Sequence, residues 1–425
     1  MKLLKLFLVL LTATLARADV VLDWNAVAVT HITAAGRPGP TGLLDYGVVH
    51  AAIHDAVQAY DKRFDTYASV IENATGSMDA AVAKAAHDVL TNRFPSQAAA
   101  IGTTYNNYLT SHGIAANDPG VAVGAEVAAT MNELRADDGS FPATFPPNLG
   151  SNEIGMWRPT ESFLPPPPAS FSAFGFPWMA DVTPFVVLDS QQFRANKPYT
   201  VKSGLYTKEY NETKALGSIN STERTPEQTQ LAYFWAGNFL AQINDLVRSL
   251  ADSELDNSGD IARLFALVYL TASDGLITTW AGKLEYPTWR PLTAIREGQN
   301  DGNKHTIGDP NWQPLINTPN YPDHSSGANG LMSGAMKMLS LFFGTDKMTF
   351  TISTTNPNAN PKVHTYYRFR DPALEVVEAR ILQGIHFRTA DRDGRKVGLN
   401  VARWVYQNAL LPIGEQTDCG EEDSE

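Results

Sequence analysis

The sequence predicts an all-α protein, two helical bundles joined by a Pro-rich crossover. Three observations carry that reading. Apolar residues recur at three-to-four spacing through most of the chain. Strand-type alternation is convincing only in the short stretch 347–353. Ten prolines, from Pro142 to Pro184, crowd into a region where neither pattern holds.

Taken in order, residues 24–35 set Val29 and Ile32 three apart, and the run from Gly36 to Pro40 breaks that pattern. Residues 43–62 resume it through Leu44, Val48, Val49, Ala52, Ile53 and Val57. Helices over 79–94, 96–112 and 117–137 follow, with Gly113 and Gly139 as stops. After the crossover the pattern returns at 226–251 and 258–280, then at 329–343, 374–386 and 391–408. The expected layout is a targeting segment at 1–18, an N-terminal lobe at 19–140, the crossover at 141–200, a C-terminal bundle at 201–412 and an acidic tail at 413–425.

The composition excludes several classes. Lys plus Arg number 33 against 45 Asp plus Glu, a net charge of −12, which argues against nucleic acid or an anionic membrane as the main partner. At 43% hydrophobic and 18% charged, the chain is globular, not disordered. Its one cysteine, Cys419, excludes an intrachain disulfide and a Cys-based metal cluster. The charged start with Lys2 and Lys5, the apolar run Leu6 to Leu11 and the Ala16-Arg17-Ala18 site read as a secretory signal, so the protein is expected outside the cell. No later stretch reaches about 18 uninterrupted apolar residues, so no stable membrane insertion is expected. Asn73, Asn211 and Asn220 are glycosylation acceptors by pattern.

Three distant segments offer groups for holding an oxyanion. Lys283 and Arg290 flank Pro287, which argues against one unbroken helix, so the two cations would converge from a helix end and a turn. A guanidinium presents a planar fork and an ammonium a point charge. Ser326 and Gly327 stand before the apolar run Leu331 to Phe343, where a helix start leaves backbone N–H groups free for an anion. Arg380 and His386 would point about 120° apart on one continuous helix, and Gly384 allows the break that re-aims the histidine. Each segment alone has an ordinary structural explanation: a solvated turn, an N-cap, a core histidine. His50 and His54, four apart and followed by Asp55, could share one helix face toward zinc, but lack the intervening glutamate and read as structural. Trp157-Arg158-Pro159 reads as packing. Arg388 could line the pocket or pair with the acids at Asp391 and Asp393.

Together these segments resemble the vanadium-dependent haloperoxidases, which share a helical core with the type 2 phosphatidic acid phosphatases and bacterial acid phosphatases. The Lys-x6-Arg-Pro motif is matched by Lys283, Arg290 and Pro291, and the Arg-x5-His motif by Arg380 and His386. The flanking run from Asp274 through Trp280 to Arg296 looks like the soluble chloroperoxidase-like branch. The middle motif departs from the family's Pro-Ser-Gly-His. Ser325, Ser326, Gly327 and Ala328 stand there, so the acid–base histidine is missing. His324 and Asn329 are its nearest polar neighbours. The acid that the family carries four residues after the last histidine is also displaced: Ala390 holds that position and Asp391 follows.

The resemblance implies vanadate as cofactor, held by Lys283, Arg290, Ser326, Gly327, Arg380 and His386, with His386 on the metal and Lys283, Arg290, Arg380 and His386 as the catalytic set. Hydrogen peroxide and a halide would be the partners, iodide or bromide ahead of chloride without the acid–base group. The same residues could hold a phosphate ester with His386 as nucleophile, or bind an oxyanion without catalysis.

Overall fold

The computed structural model describes residues 19–37, 39–160 and 173–414. The segment expected to be a secretory signal, the prolines Pro165 to Pro168, Cys419 and nearly all of the expected acidic tail lie outside them.

The described chain is mainly helical. The first lobe holds α1 (Val20–Ala34), α2 (Gly39–Asp61), α3 (Met78–Arg93), α4 (Ala98–Ser111) and α5 (Pro119–Leu134). Their starts follow local chemistry: Asp19, Ser77 and Asp118 each accept backbone N–H groups as N-caps. The described part of the crossover has no α-helix and only one 3-10 turn, Pro177–Asp181. The second half holds α6 (Gly204–Leu216), α7 (Pro226–Phe234), α8 (Phe239–Glu254), α9 (Ser258–Glu285), α10 (Pro291–Arg296) and α11 (Gly327–Phe342). A β-hairpin of β1 (Lys347–Ser353) and β2 (Val363–Arg368) follows, antiparallel, with Phe350 opposite Tyr366. The helices α12 (Arg370–Leu382) and α13 (Arg388–Asn408) complete it.

Two sequence expectations need correction. The continuous helix at 226–251 is two helices, because Gly237 and the capping Asn238 interrupt it between Phe234 and Phe239. Helices α6 and α10 were not expected, α10 because it is about one and a half turns long and α6 because its apolar spacing is incomplete.

The core is organised around α9. Its residues from Ile261 to Lys283 are buried without interruption, which explains its membrane-like apolarity. One apolar cluster runs from α1, α2 and α3 through α9 to α11 and α13. Asp274, buried in α9, ties the crossover down by accepting the N–H groups of Phe185, Val186 and Val187 at 2.6, 2.8 and 2.9 Å. Asp55 in α2 holds residues 67–69 in the same way. Helices α11 and α13 meet backbone to backbone: a Cβ on Gly398 would lie 2.1 Å from the Gly330 oxygen, and one on Gly394 would lie 2.3 Å from the Ser326 oxygen. That contact fixes the start of α11 against α13.

Candidate active site

The first cation pair forms where α9 stops. Lys283 occupies the last turn of α9, Pro287 prevents continuation, and Arg290 is the N-cap of α10. Both are wholly buried. The loop 321–326 crosses between them and supplies carbonyl acceptors. Lys283 Nζ donates to the Pro322 and Asp323 oxygens at 2.6 and 3.2 Å, and Arg290 Nε to the Tyr321 oxygen at 2.8 Å.

The third segment arrives from the opposite side. Helix α12 ends at Leu382, and Gly384 turns the chain with a φ of +76°. A Cβ there would lie 2.3 Å from the Gly217 oxygen, so glycine is needed for both conformation and clearance. The turn delivers His386 to the first pair. Arg290 Nη1 donates to the Ile385 oxygen at 2.7 Å and to His386 Nε2 at 2.9 Å. Arg380, in the last turn of α12, donates to Gln383 and is held near the same centre.

The second segment closes the ring. Ser326 caps α11 without using its side chain, so the first N–H groups of the helix, Gly327 included, have no side-chain cap. The Ser326 hydroxyl lies between Asn329 and Asp391; Asn329 Nδ2 donates to it at 3.2 Å and to Asp391 Oδ1 at 2.8 Å. The structure thus brings together all six residues singled out from the sequence.

It also shows a group that the motifs did not reveal. His386 Nδ1 lies 2.8 Å from Asp323 Oδ1, and both side chains are buried. Asp323 stands on the loop before Ser326 and also lies 3.8 Å from Arg290. The ring partner is therefore Asp323, whereas Asp391 serves Asn329. No spacing rule links 323 to 386; only the fold does.

Electrostatics follow from burial. Burial pushes His386 well below its ordinary range, and Arg290, Arg380 and Lys283 push it further, so the imidazole is neutral. Because Arg290 donates to Nε2, a neutral ring carries its lone pair there and its proton on Nδ1, the tautomer a metal ligand needs. Burial, then Arg290, holds Lys283 well below the usual lysine range. Burial raises Asp323 to about 7, opposed by Arg290 and Lys283. Three cations face two carboxylates whose charge burial disfavours. Arg290 Nη2 and Arg380 Nε are buried with no partner. Unpaired buried guanidinium nitrogens are costly, and a tetrahedral or bipyramidal oxyanion would satisfy them. The residues present fit vanadate.

A cleft of about 360 Å³ leads to this cage. Its walls include Phe239, Leu276, Trp280 and Tyr321, and Arg380, Gly327 and Ala328 lie at the cage end. Lys283, Arg290 and His386 sit behind, closed to solvent. A larger cavity of about 840 Å³, beside Phe64, Tyr67 and Phe185, contains no comparable cluster.

The other sequence candidates have definite places. His324 does not enter the cleft: Nε2 donates to the Asn196 oxygen at 2.8 Å, in a small cavity on the far side of Asp323. Asn329 is tied to Ser326 and Asp391. Arg388 meets neither the cage nor Asp391 and Asp393; it pairs with Glu212 and Glu378, because its side chain turns toward α6 and α12. His50 accepts from Asn25 and stacks on Phe265 and Tyr269, and His54 donates to the Asp65 oxygen. Arg158 pairs with Glu297.

The fold defines a class. The chain aligns with the bacterial vanadium-dependent iodoperoxidase at a TM-score of 0.76 and 19% identity, covering 93% of this chain and 98% of that one. With the apo form of a bacterial vanadium-dependent chloroperoxidase the TM-score is 0.70 at 17% identity, covering 87% and 92%. At these identities the likeness is one of fold: the all-α architecture of the vanadium haloperoxidases.

Sequence comparison is more particular. Residues 263–414, which hold all six cage residues, match the family described as the VCPO second helical-bundle domain. The vanadium chloroperoxidase of Curvularia inaequalis is 31% identical over 195 residues, 38% of this chain. That match spans about a third, 31%, of the relative's own length. The chain thus has the fold of the vanadium haloperoxidases, and over residues 263–414 it matches the VCPO second helical-bundle domain in sequence.

Proposed function

We propose that this chain is a secreted peroxidase that oxidises iodide or bromide with hydrogen peroxide, using vanadate held by Lys283, Arg290, Ser326, Gly327, Arg380 and His386. One observation carries the reading: buried cations with unpaired guanidinium nitrogens surround a neutral histidine whose Nε2 bears the lone pair. Bound vanadate would supply the activation of peroxide toward halide. The protein's part is electrostatic. Lys283, Arg290 and Arg380 offset anionic charge in a site closed to water, the Gly327 N–H adds a fixed dipole, and Asp323 orients His386.

Proton handling sets the halide preference. Ala328 has no group to take the peroxide proton, His324 faces the other side of the loop, and Asn329 is held by Asp391. Losing general-base assistance typically costs about 10²–10⁴-fold, which disfavours chloride, the hardest of the three halides to oxidise. Export rests on the N-terminal signal pattern.

The test is halogenation by the purified chain with peroxide and each halide, with and without vanadate, beside aryl phosphate hydrolysis. Vanadate-dependent iodide or bromide oxidation, lost in His386→Ala, is the expected result. Hydrolysis inhibited by vanadate without halogenation would replace this reading with a phosphatase. Anion binding with neither activity would make the chain a non-catalytic binder.

A further inference from the structure

We propose a second anion site, separate from the cage, in the groove between α11, the first turn of α12 and α13, which takes a small polyphosphate anion of about pyrophosphate size. The groove encloses about 260 Å³ and is lined by Ser333, Lys337, Asp346, Arg370, Arg395 and Arg403, among others. Four cations face one carboxylate there, on a chain whose net charge is −12.

The spacing builds the groove. Ser333 and Lys337 are one turn apart on α11, and Arg395 and Arg403 are two turns apart on α13, so each helix presents its polar groups on one face. Asp346 is engaged by Arg370, whose Nε lies 3.4 Å from Oδ2 and whose N–H donates to Oδ1 at 3.1 Å. Lys337, Arg395 and Arg403 enter no ion pair among the described residues, and the Arg403 guanidinium donates only to the neutral Asn400.

Two buried orphans point to a ligand. The Ser333 hydroxyl is completely buried and has no partner, and Arg395 Nε is buried and unpartnered. A serine in a helix ordinarily spends its hydroxyl on a carbonyl one turn back; Ser333 does not. A phosphate oxygen would satisfy both donors, with the Arg395 and Arg403 forks and the Lys337 ammonium neutralising its charge. One phosphate would leave most of this volume unfilled, and a second phosphoryl group uses it and matches the excess of cations. The groove shares α11 and α12 with the cage, but no cage residue lines it.

The experiment is calorimetric titration of the full chain with pyrophosphate, in the wild type, in Arg290→Ala and in a double Arg395→Ala, Arg403→Ala variant. The Arg290 variant disables the cage, whose cations would also take phosphate. The groove site is expected to persist in Arg290→Ala and to weaken about 10–100-fold in the double alanine variant. Replacing both arginines by lysine should recover part of that loss. Circular dichroism confirms folding; Arg403 is exposed and Arg395 half-buried, and neither belongs to the apolar core. Pyrophosphate binding that disappears in Arg290→Ala, or is unchanged in the double alanine variant, overturns the proposal. So does binding of phosphatidylglycerol vesicles through the groove without pyrophosphate binding, which would assign it to a membrane surface.

Discussion

Replacing Asp323 tests how His386 is held. In the wild type, Asp323 Oδ1 faces His386 Nδ1 at 2.8 Å with both groups buried, and Asp323 also accepts weakly from the Phe387 N–H at 3.4 Å. Asp323→Ala removes the buried carboxylate that faces the His386 ring nitrogen. Loss of an outer-shell partner typically costs about 10–100-fold in metal affinity. Asp323→Ala should therefore weaken vanadate binding by about 10–100-fold, measured by equilibrium dialysis without turnover. Asp323→Asn should lose only a few-fold, because the amide keeps an oxygen facing Nδ1–H.

A second anion separates orientation from charge. Phosphate would be held by the cations alone and would need no bond to His386. Removing a carboxylate 3.8 Å from Arg290 should leave phosphate affinity unchanged or stronger. Nitrogen-15 spectra of the histidine ring should show the Nδ1–H form in the wild type and in Asp323→Asn, and a mixture in Asp323→Ala. The reasoning fails if Asp323→Ala binds vanadate as the wild type does, or if phosphate and vanadate weaken together.

Three further outcomes follow from the same geometry. Ala328→His should raise halide oxidation toward the 10²–10⁴-fold typical of a general base, seen as an increase in kcat; an unchanged rate would show that position 328 does not face the peroxide. Gly398→Ala should destabilise the chain by about 3 kcal/mol, because the new Cβ falls 2.1 Å from the Gly330 oxygen and the backbones of α11 and α13 must separate; thermal unfolding reads this, and a melting temperature equal to wild type would refute it. Burial depresses His54 to about 4 from 6.5, so its stabilising contribution is complete above pH 6.5 and is lost as the pH falls through 4. That shift corresponds to about 3 kcal/mol. Urea titrations of wild type and His54→Asn between pH 7 and 4 should converge by this amount, the buried carboxylates cancelling in the difference.

The parts of the site legible in the sequence are those whose chemistry is carried by residue type and near spacing. Pro287 ends α9 just before Arg290, so the separation of Lys283 and Arg290 was readable as a helix end and a turn. Gly384 marks the break that re-aims His386, and the small residues before Leu331 mark the anion-binding start of α11. In the fold, the hairpin strand β1 has the bounds that alternation at 347–353 gives, because its period of two is independent of context. Helices α6 and α10 escaped because tertiary contacts hold them: Tyr206 packs against Trp289, which donates to its hydroxyl at 3.0 Å.

Asp323 escaped for a deeper reason. An ion pair between residues 323 and 386 has no local signature, and the more obvious acid, Asp391, lies five residues from the histidine on the next helix. What decides between them is the packing of α11 on α13. Glycine at 394 and 398 draws those backbones together, and Asn329 then meets Asp391 at 2.8 Å and occupies it. With Asp391 engaged, the remaining carboxylate within reach of Nδ1 is the one that the 321–326 loop carries past Lys283 and Arg290. The two cations that identify the site by motif therefore also shape the loop that completes it, since their donors grip the Tyr321, Pro322 and Asp323 carbonyls. It follows that Lys283→Ala should loosen the loop and disturb His386 as well as remove a charge. Vanadate affinity should then fall more than in a surface-charge deletion, and the Nδ1–H signal of His386 should broaden. A sharp, unshifted ring signal in that variant would show that the loop holds its shape without the lysine.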